Sequence, residues 1–202
     1  MQIITIADIP DVWSKGGIVL IPTDTLYGIT CLAERKDLLD IIYRIKKRSF
    51  NKMFPIFISD KTMLEYYCGE INTKVNKIIN IYWPGKLTII LPIQQNNNLS
   101  FMKNAGFRIP DCEYLISAIS EINLPVIGTS CNFSGKNNII DKDEFLKFFE
   151  EISLNYNVFL CDIKYKPIGI SSTIIKITEN NNITLIREGS INFMEIYENY
   201  NQ

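Results

Sequence analysis

Gly17-Ile-Val-Leu-Ile-Pro22, followed at once by Thr23-Asp-Thr-Leu-Tyr-Gly28, is the stretch on which the reading of this chain turns. An apolar run of four residues stopped by a proline describes a short buried strand. From Pro22 to Gly28 the chain then packs Thr23, Thr25 and Tyr27, the carboxylate of Asp24 and a glycine into seven positions. A strand-end turn of that composition presents hydroxyls and backbone N–H groups to a small polar ligand, or satisfies its own backbone with the same groups. The pattern recurs: an apolar run at 125–129 leads into Gly128-Thr-Ser-Cys-Asn-Phe-Ser-Gly135.

Working outward, short apolar runs alternate with helical periodicity. Leu38, Ile41, Ile42 and Ile45 follow the i, i+3, i+4, i+7 spacing of an amphipathic helix that runs into Lys46-Lys-Arg48. Residues 55–59 read as a strand, with Ser59 or Asp60 capping the helix after it, and Asn72 caps another that stops at Trp83-Pro-Gly85. Strands are expected at 87–92, 107–109, 125–129 and 158–161, and helices around Leu115–Ile122, at 141–152 and at 193–200. Residues 172–177 and 183–187 read as a hairpin turning through 179–182, with a looser loop as the alternative. This order predicts one α/β domain on a mixed sheet, spanning residues 1–202, with no repeat and no linker.

Composition narrows the chemistry. The 202 residues are 47% hydrophobic and 21% charged, with a formal net charge of −1, so no global positive field advertises nucleic acid. There is no histidine. Ser-His-Asp and Cys-His machinery and every His-ligated metal site are therefore excluded. Five cysteines without a CxxC pair fit reduced thiols in a cytoplasm better than a zinc site or disulfide framework. No apolar run approaches the roughly 18 residues of a membrane span, and the amino end lacks signal-peptide features. Arginine is scarce, 5 against 16 lysines, which draws attention to Arg48, Arg108 and Arg187, since a planar bidentate fork resists replacement by lysine.

Three segments then carry chemistry besides the 22–28 turn. Lys46-Lys-Arg48-Ser-Phe-Asn-Lys52 concentrates four cations at a helix end, either a solvated terminus or a polyanion grip. The segment 128–135 offers hydroxyl, amide and backbone donors; with no base to activate Ser130, a nucleophilic serine is rejected and oxygen stabilisation, or a plain capping turn, remains. Arg108, Ser172 and Arg187 sit at strand ends beside Pro or Gly, while Trp83-Pro-Gly85 reads as a connector. Walker and GxGxxG loops are absent.

In this order the segments resemble the YrdC family, the L-threonylcarbamoyladenylate synthases, whose pattern runs PTxTxYGL, KxR, WPGPLT, RxP, SxNxSG, STxx, LRxG. The chain has Pro22-Thr-Asp-Thr-Leu-Tyr-Gly-Ile29, Lys46-Lys-Arg48, Trp83-Pro-Gly-Lys-Leu-Thr88, Arg108-Ile-Pro110, Ser130-Cys-Asn-Phe-Ser-Gly135, Ser172-Thr-Ile-Ile175 and Ile186-Arg-Glu-Gly189, covering about residues 15–190. The resemblance implies a twisted mixed sheet flanked by helices with a concave basic substrate cleft, in the short, stand-alone form. It implies a cytoplasmic nucleotidyltransferase that joins L-threonine, bicarbonate and ATP into threonylcarbamoyl-AMP and pyrophosphate for the t6A modification of tRNA. By matched position, Lys46, Arg48, Lys52, Ser130, Asn132 and Arg187 would hold ATP and the reacting carboxylate, with Lys46, Arg48, Ser130 and Asn132 closest to the chemistry. Thr25, Arg108 and Ser172 would hold threonine. Mg²⁺ would accompany the triphosphate without a protein-ligated metal, and tRNA or the downstream t6A transferase proteins are implied partners. The chain departs from the pattern near Phe57, where many members carry a histidine associated with threonine. The competing implications are a non-catalytic role in double-stranded RNA binding or ribosome maturation, and a carbamoyl-transfer module.

Overall fold

The computed structural model describes residues 2–50, 52–178 and 180–201. In chain order these form β1 (Gln2–Ile4), α1 (Ile9–Ser14), β2 (Ile18–Pro22), β3 (Tyr27–Leu32), α2 (Lys36–Ile45), β4 (Pro55–Phe57), α3 (Lys61–Cys68), α4 (Thr73–Tyr82) and β5 (Leu87–Pro92). There follow β6 (Asn104–Arg108), α5 (Glu113–Ile122), β7 (Val126–Ser130), α6 (Lys142–Ser153), β8 (Val158–Cys161), β9 (Thr173–Ile177), β10 (Ile183–Arg187) and α7 (Phe193–Asn201).

The strands make one open mixed sheet in the order β1-β8-β2-β3-β7-β4-β6-β5-β9-β10. The expected α/β class and mixed sheet are therefore present. Helix starts follow side-chain capping: Asp60, and not Ser59, accepts the Met63 N–H, Asn72 accepts that of Val75, and Asp141 takes those of Asp143 and Glu144. β9 and β10 form the expected antiparallel hairpin; its turn includes Asn181 at φ 58°, and Glu179 of the expected turn lies outside the described residues.

Three elements go beyond the sequence expectation. The turn after β2 is confined to residues 23–26, and the chain re-enters the sheet at Tyr27 as β3, whose six residues are all buried. With Gly28 and Thr30 interrupting it and both faces covered, β3 shows neither alternation nor a long apolar run. α1 is only six residues, but it inserts Trp13, 0% exposed, whose indole N–H donates to Thr30 Oγ1 at 3.2 Å. β1 is a three-residue edge strand paired with β8. The expected strand at 107–109 begins earlier, at Asn104.

Register then gathers the polar strand ends on one side. Gly28 pairs with Ser130 across β3 and β7, and Phe57 with Arg108 across β4 and β6. Side chains two apart share a face. Pro55 and Phe57 therefore project to the same side, and Gly128 and Ser130 likewise. The segments quoted at the outset meet there although a hundred residues separate them in sequence.

Candidate active site

A cleft of about 600 Å³, open to solvent, lies over these strand ends. Its lining includes Thr25, Arg48, Phe57, Arg108, Ser130, Ser172 and Arg187. Of the expected site residues, Thr25, Arg48, Arg108, Ser130, Ser172 and Arg187 thus converge, while Lys46, Lys52 and Asn132 are not among the lining.

One wall is built from the β2–β3 turn. Thr23 Oγ1 donates to the Leu26 carbonyl at 2.7 Å and accepts the N–H groups of Thr25 and Leu26, holding a tight hydroxyl-centred turn. This turn sends Asp24 inward to Arg108, where the two side chains, each 3% exposed, form an ion pair at 2.5 Å. Arg108 Nη1 donates to Thr25 Oγ1 at 3.1 Å and Nε to the Gly85 carbonyl at 2.7 Å. Burial lowers the proton affinity of the guanidinium and Asp24 raises it again. Sequence reading singled out neither Asp24 as the partner nor Gly85 as an acceptor. The 83–85 connector therefore also orients an arginine of the cleft. The signal for Asp24 was present in its position between two threonines in the quoted turn.

The opposite wall comes from the end of α2 and from β7. Lys47 takes φ 49°, its N–H bonds Arg44 O and the Arg48 N–H bonds Tyr43 O, the paired closure of a Schellman motif. This reversal sends Lys46 inward, 1% exposed, and Lys47 outward over the Phe133 ring. Lys46 Nζ donates to the Ser130 carbonyl, to Asn132 O at 2.9 Å and to Asn132 Oδ1 at 3.1 Å. The expected phosphate cation thus lies behind the wall and knits it together. Lys52 is exposed; its carbonyl accepts the Tyr43 hydroxyl at 3.0 Å.

Burial pushes the Lys46 amine down to about 8. An unfolded lysine titrates near 10.5, so between about pH 8 and 10.5 the unfolded chain holds a proton that the folded chain has released. This group therefore lowers stability below that window and makes stability rise with pH through it. Urea titrations at pH 8 and pH 10 should show that rise for the native chain relative to Lys46→Met, in which it is lost.

Arg48 and Arg187 have no carboxylate partner among the described residues. Arg48 Nη2 donates to Met53 O at 3.0 Å, and its buried Nε has no hydrogen-bond partner. Arg187, at the end of β10, donates to the Ser172 carbonyl at 2.8 Å. Surrounding protein, then repulsion from Arg48 and Arg108, pull its proton affinity below the ordinary guanidinium range. Ser172 Oγ in turn contacts Thr88 Oγ1 at 2.9 Å. Two uncompensated arginines held beside a third make an electrostatic environment that an anion would relieve.

The floor is Phe57. A Cβ on Gly128 would lie 2.2 Å from two atoms of its ring, so glycine is what lets the ring lie flat against β7. Arg108 stands 5.7 Å above the ring centre. Gly128→Ala should push the ring into the cleft and cost about 1–3 kcal/mol in thermal or urea unfolding. Phe57→Leu in the same chain should recover most of that loss.

Similarity to known proteins agrees with this geometry. A family model for the Sua5/YciO/YrdC domain, described as "Telomere recombination", matches residues 11–189. A Methanocaldococcus jannaschii protein named putative threonylcarbamoyl-AMP synthase is 40% identical over 179 residues, 88% of this chain and 82% of its own. The structure of a P. abyssi Sua5 variant superposes with a TM-score of 0.85 at 25% identity, over 98% of this chain and 60% of that one. A second P. abyssi Sua5 structure, complexed with L-threonine, gives 0.82 at 24% identity over 98% and 58%. E. coli YciO shares the fold, with a TM-score of 0.77 at 22% identity over 93% and 90%. The strand-end turns, the arginine-lined cleft and the match over nearly the whole described chain lead to one assignment: this chain belongs to the Sua5/YciO/YrdC family.

Proposed function

We propose that this chain is a threonylcarbamoyl-AMP synthase, an enzyme of the nucleotidyl-transfer type that serves t6A modification of tRNA. The observation that carries the reading is the convergence of Arg48, Arg108 and Arg187 on one hydroxyl-lined cleft where, among the described residues, only Arg108 has a salt-bridge partner, Asp24. Such a site suits the union of a triphosphate with an amino acid, which together bring several negative charges. The names of the relatives favour this enzymatic reading over non-catalytic RNA binding.

On this reading the threonine amine captures carbon dioxide or bicarbonate to give an N-carboxy group. Its carboxylate attacks the α-phosphorus of ATP, the bond to the β-phosphate oxygen breaks, and pyrophosphate leaves. The work asked of the protein is positioning and charge stabilisation, for which no histidine is needed. Arg48 and Arg187 would face the phosphate oxygens. Of the five N–H groups of Arg108, three are engaged by Asp24, Thr25 and Gly85, and the others would hold the threonine carboxylate. Thr25 and Ser172, which line the cleft, would border the amino acid. Mg²⁺ would enter with the triphosphate, its oxygens supplied by phosphate and water. A cytoplasmic setting, contact with tRNA and hand-over to transferase proteins belong to the same reading.

The test is pyrophosphate release from ATP, Mg²⁺ and bicarbonate with each amino acid in turn. Release that requires threonine is expected. Release independent of threonine, or none from folded protein, would refute the assignment.

A further inference from the structure

A register shift in the last hairpin determines which face of the sheet Arg187 occupies. Along β10, Ile183, Thr184 and Leu185 pair with Ile177, Lys176 and Ile175 of β9, but Arg187 pairs with Ile174. Ile186 is therefore the extra residue of a β-bulge. Residues directly opposite each other in an antiparallel pair share a face. Ser172 and Ile174 line the cleft, whereas Thr173 and Ile175, which alternate with them, are wholly buried on the other side. Unbroken pairing would set Arg187 opposite Thr173, on the buried face. The bulge turns it to the cleft.

The chain just beyond the bulge is held by Thr173. Its backbone is fixed inside the sheet, paired with Leu87 of β5 and bonded through its N–H to Lys86 O at 3.0 Å. Its hydroxyl donates to the Ile191 carbonyl at 2.6 Å and accepts the N–H groups of Gly189 at 2.9 Å and Ile191 at 3.0 Å. One proton and two lone pairs are all that a hydroxyl has, and all three are engaged within four residues of Arg187. The Ser190 N–H adds a bond to Ser171 O at 3.0 Å. The crossing is close: a Cβ on Gly189 would lie 2.2 Å from Ser171 O and 2.6 Å from Ser172 O.

We propose that Thr173 is a positioning residue for Arg187. Its hydroxyl ties residues 189–191 across the start of β9, and this tie fixes the bulge that brings the guanidinium over Ser172, whose carbonyl and Oγ it meets at 2.8 and 3.4 Å. Thr173 acts from the far face of the sheet and itself touches nothing in the cleft. The inference rests on the proposed function in one respect, that Arg187 serves the nucleotide.

The test is kcat/KM for ATP, read as threonine-dependent pyrophosphate release, in a double-mutant cycle with Arg187→Ala. Thr173→Val keeps the shape of the side chain and removes the hydroxyl. It should lower kcat/KM for ATP by about 10–100-fold in the native chain, the scale of a displaced catalytic group. In the Arg187→Ala background the same change should cost less than about two-fold, because the two residues act as one unit. Thr173→Ser restores the hydroxyl and should recover most of the loss. Gly189→Ala leaves the hydroxyl in place but cannot cross so closely, and its loss should depend on Arg187 in the same way. It supplies the cycle if Thr173→Val does not fold. Equal losses with and without Arg187, or full activity from folded Thr173→Val, would overturn the inference alone. Absence of threonine-dependent release from the native chain would instead overturn the function on which it rests.

Discussion

Asp24→Ala should lower the free energy of unfolding by about 3–5 kcal/mol, the cost of leaving a buried charge without its partner. Asp24 and Arg108 are both almost wholly enclosed, and the remaining partners of the guanidinium, Thr25 Oγ1 and the Gly85 carbonyl, are neutral. Arginine does not escape by losing its proton in a folded protein. Against a total stability of roughly 5–15 kcal/mol, the loss is a large fraction. Urea unfolding would show it as a lower midpoint at unchanged slope. Asp24→Asn keeps the shape and one acceptor and should cost less. The pair Asp24→Leu with Arg108→Met should recover much of the stability, because a buried ion pair is often replaceable by apolar side chains, yet turnover should be abolished. A cost below about 1 kcal/mol for Asp24→Ala would show that water reaches Arg108 and compensates it. The expected combination of results assigns the ion pair to function: Asp24 holds Arg108 in one orientation at the cleft and thereby costs the fold more than an apolar contact would.

How far such relations can be read from sequence depends on what creates them. The strand at β2, the helix faces and the Asp60, Asn72 and Asp141 caps are local, and spacing and residue type determine them. β3 escaped because a strand covered on both faces needs no alternation, and its Gly28 and Thr30 broke the apolar run. α1 escaped because six residues cannot establish a period, although Trp13 anchors it. In the cleft, arginine scarcity pointed to Arg48, Arg108 and Arg187, all of which arrive there. Burial was not legible. Lys46 and Arg48 stand two positions apart in one basic run, and only the left-handed turn at Lys47 sends the first behind the wall and leaves the second at the cleft. Nor could sequence show that Gly128 is glycine for the sake of a ring seventy-one positions earlier, since that constraint exists only once β4 and β7 are paired.

Arg187→Ala should separate the electrostatic cost of the cleft from its use. Arg187 is an exposed residue whose proton affinity is lowered first by the surrounding protein and then by repulsion from Arg48 and Arg108. It has no carboxylate partner among the described residues and contributes one hydrogen bond of ordinary length, to Ser172 O. Removing it relieves like-charge repulsion and should leave the unliganded chain as stable as before, within about 0.5 kcal/mol. Turnover should behave differently. If Arg187 meets charge developing on the phosphates, its loss should reduce kcat/KM for ATP by about 10²–10³-fold, as for other donors aimed at a developing oxyanion. Nucleotide-linked stabilisation supplies the second reading. A ligand at 100 times its Kd adds about 2.7 kcal/mol, and a 100-fold weaker Kd at the same concentration leaves about 0.4. The melting-temperature rise on adding ATP should therefore nearly vanish in the variant, although its unliganded melting temperature is unchanged. Arg187→Lys should recover only part of the activity, because a point charge cannot reproduce the planar fork. A variant that loses unliganded stability but keeps its response to ATP would make Arg187 a strut of the β9–β10 hairpin, and the anion site would then rest on Arg48 and Arg108 alone.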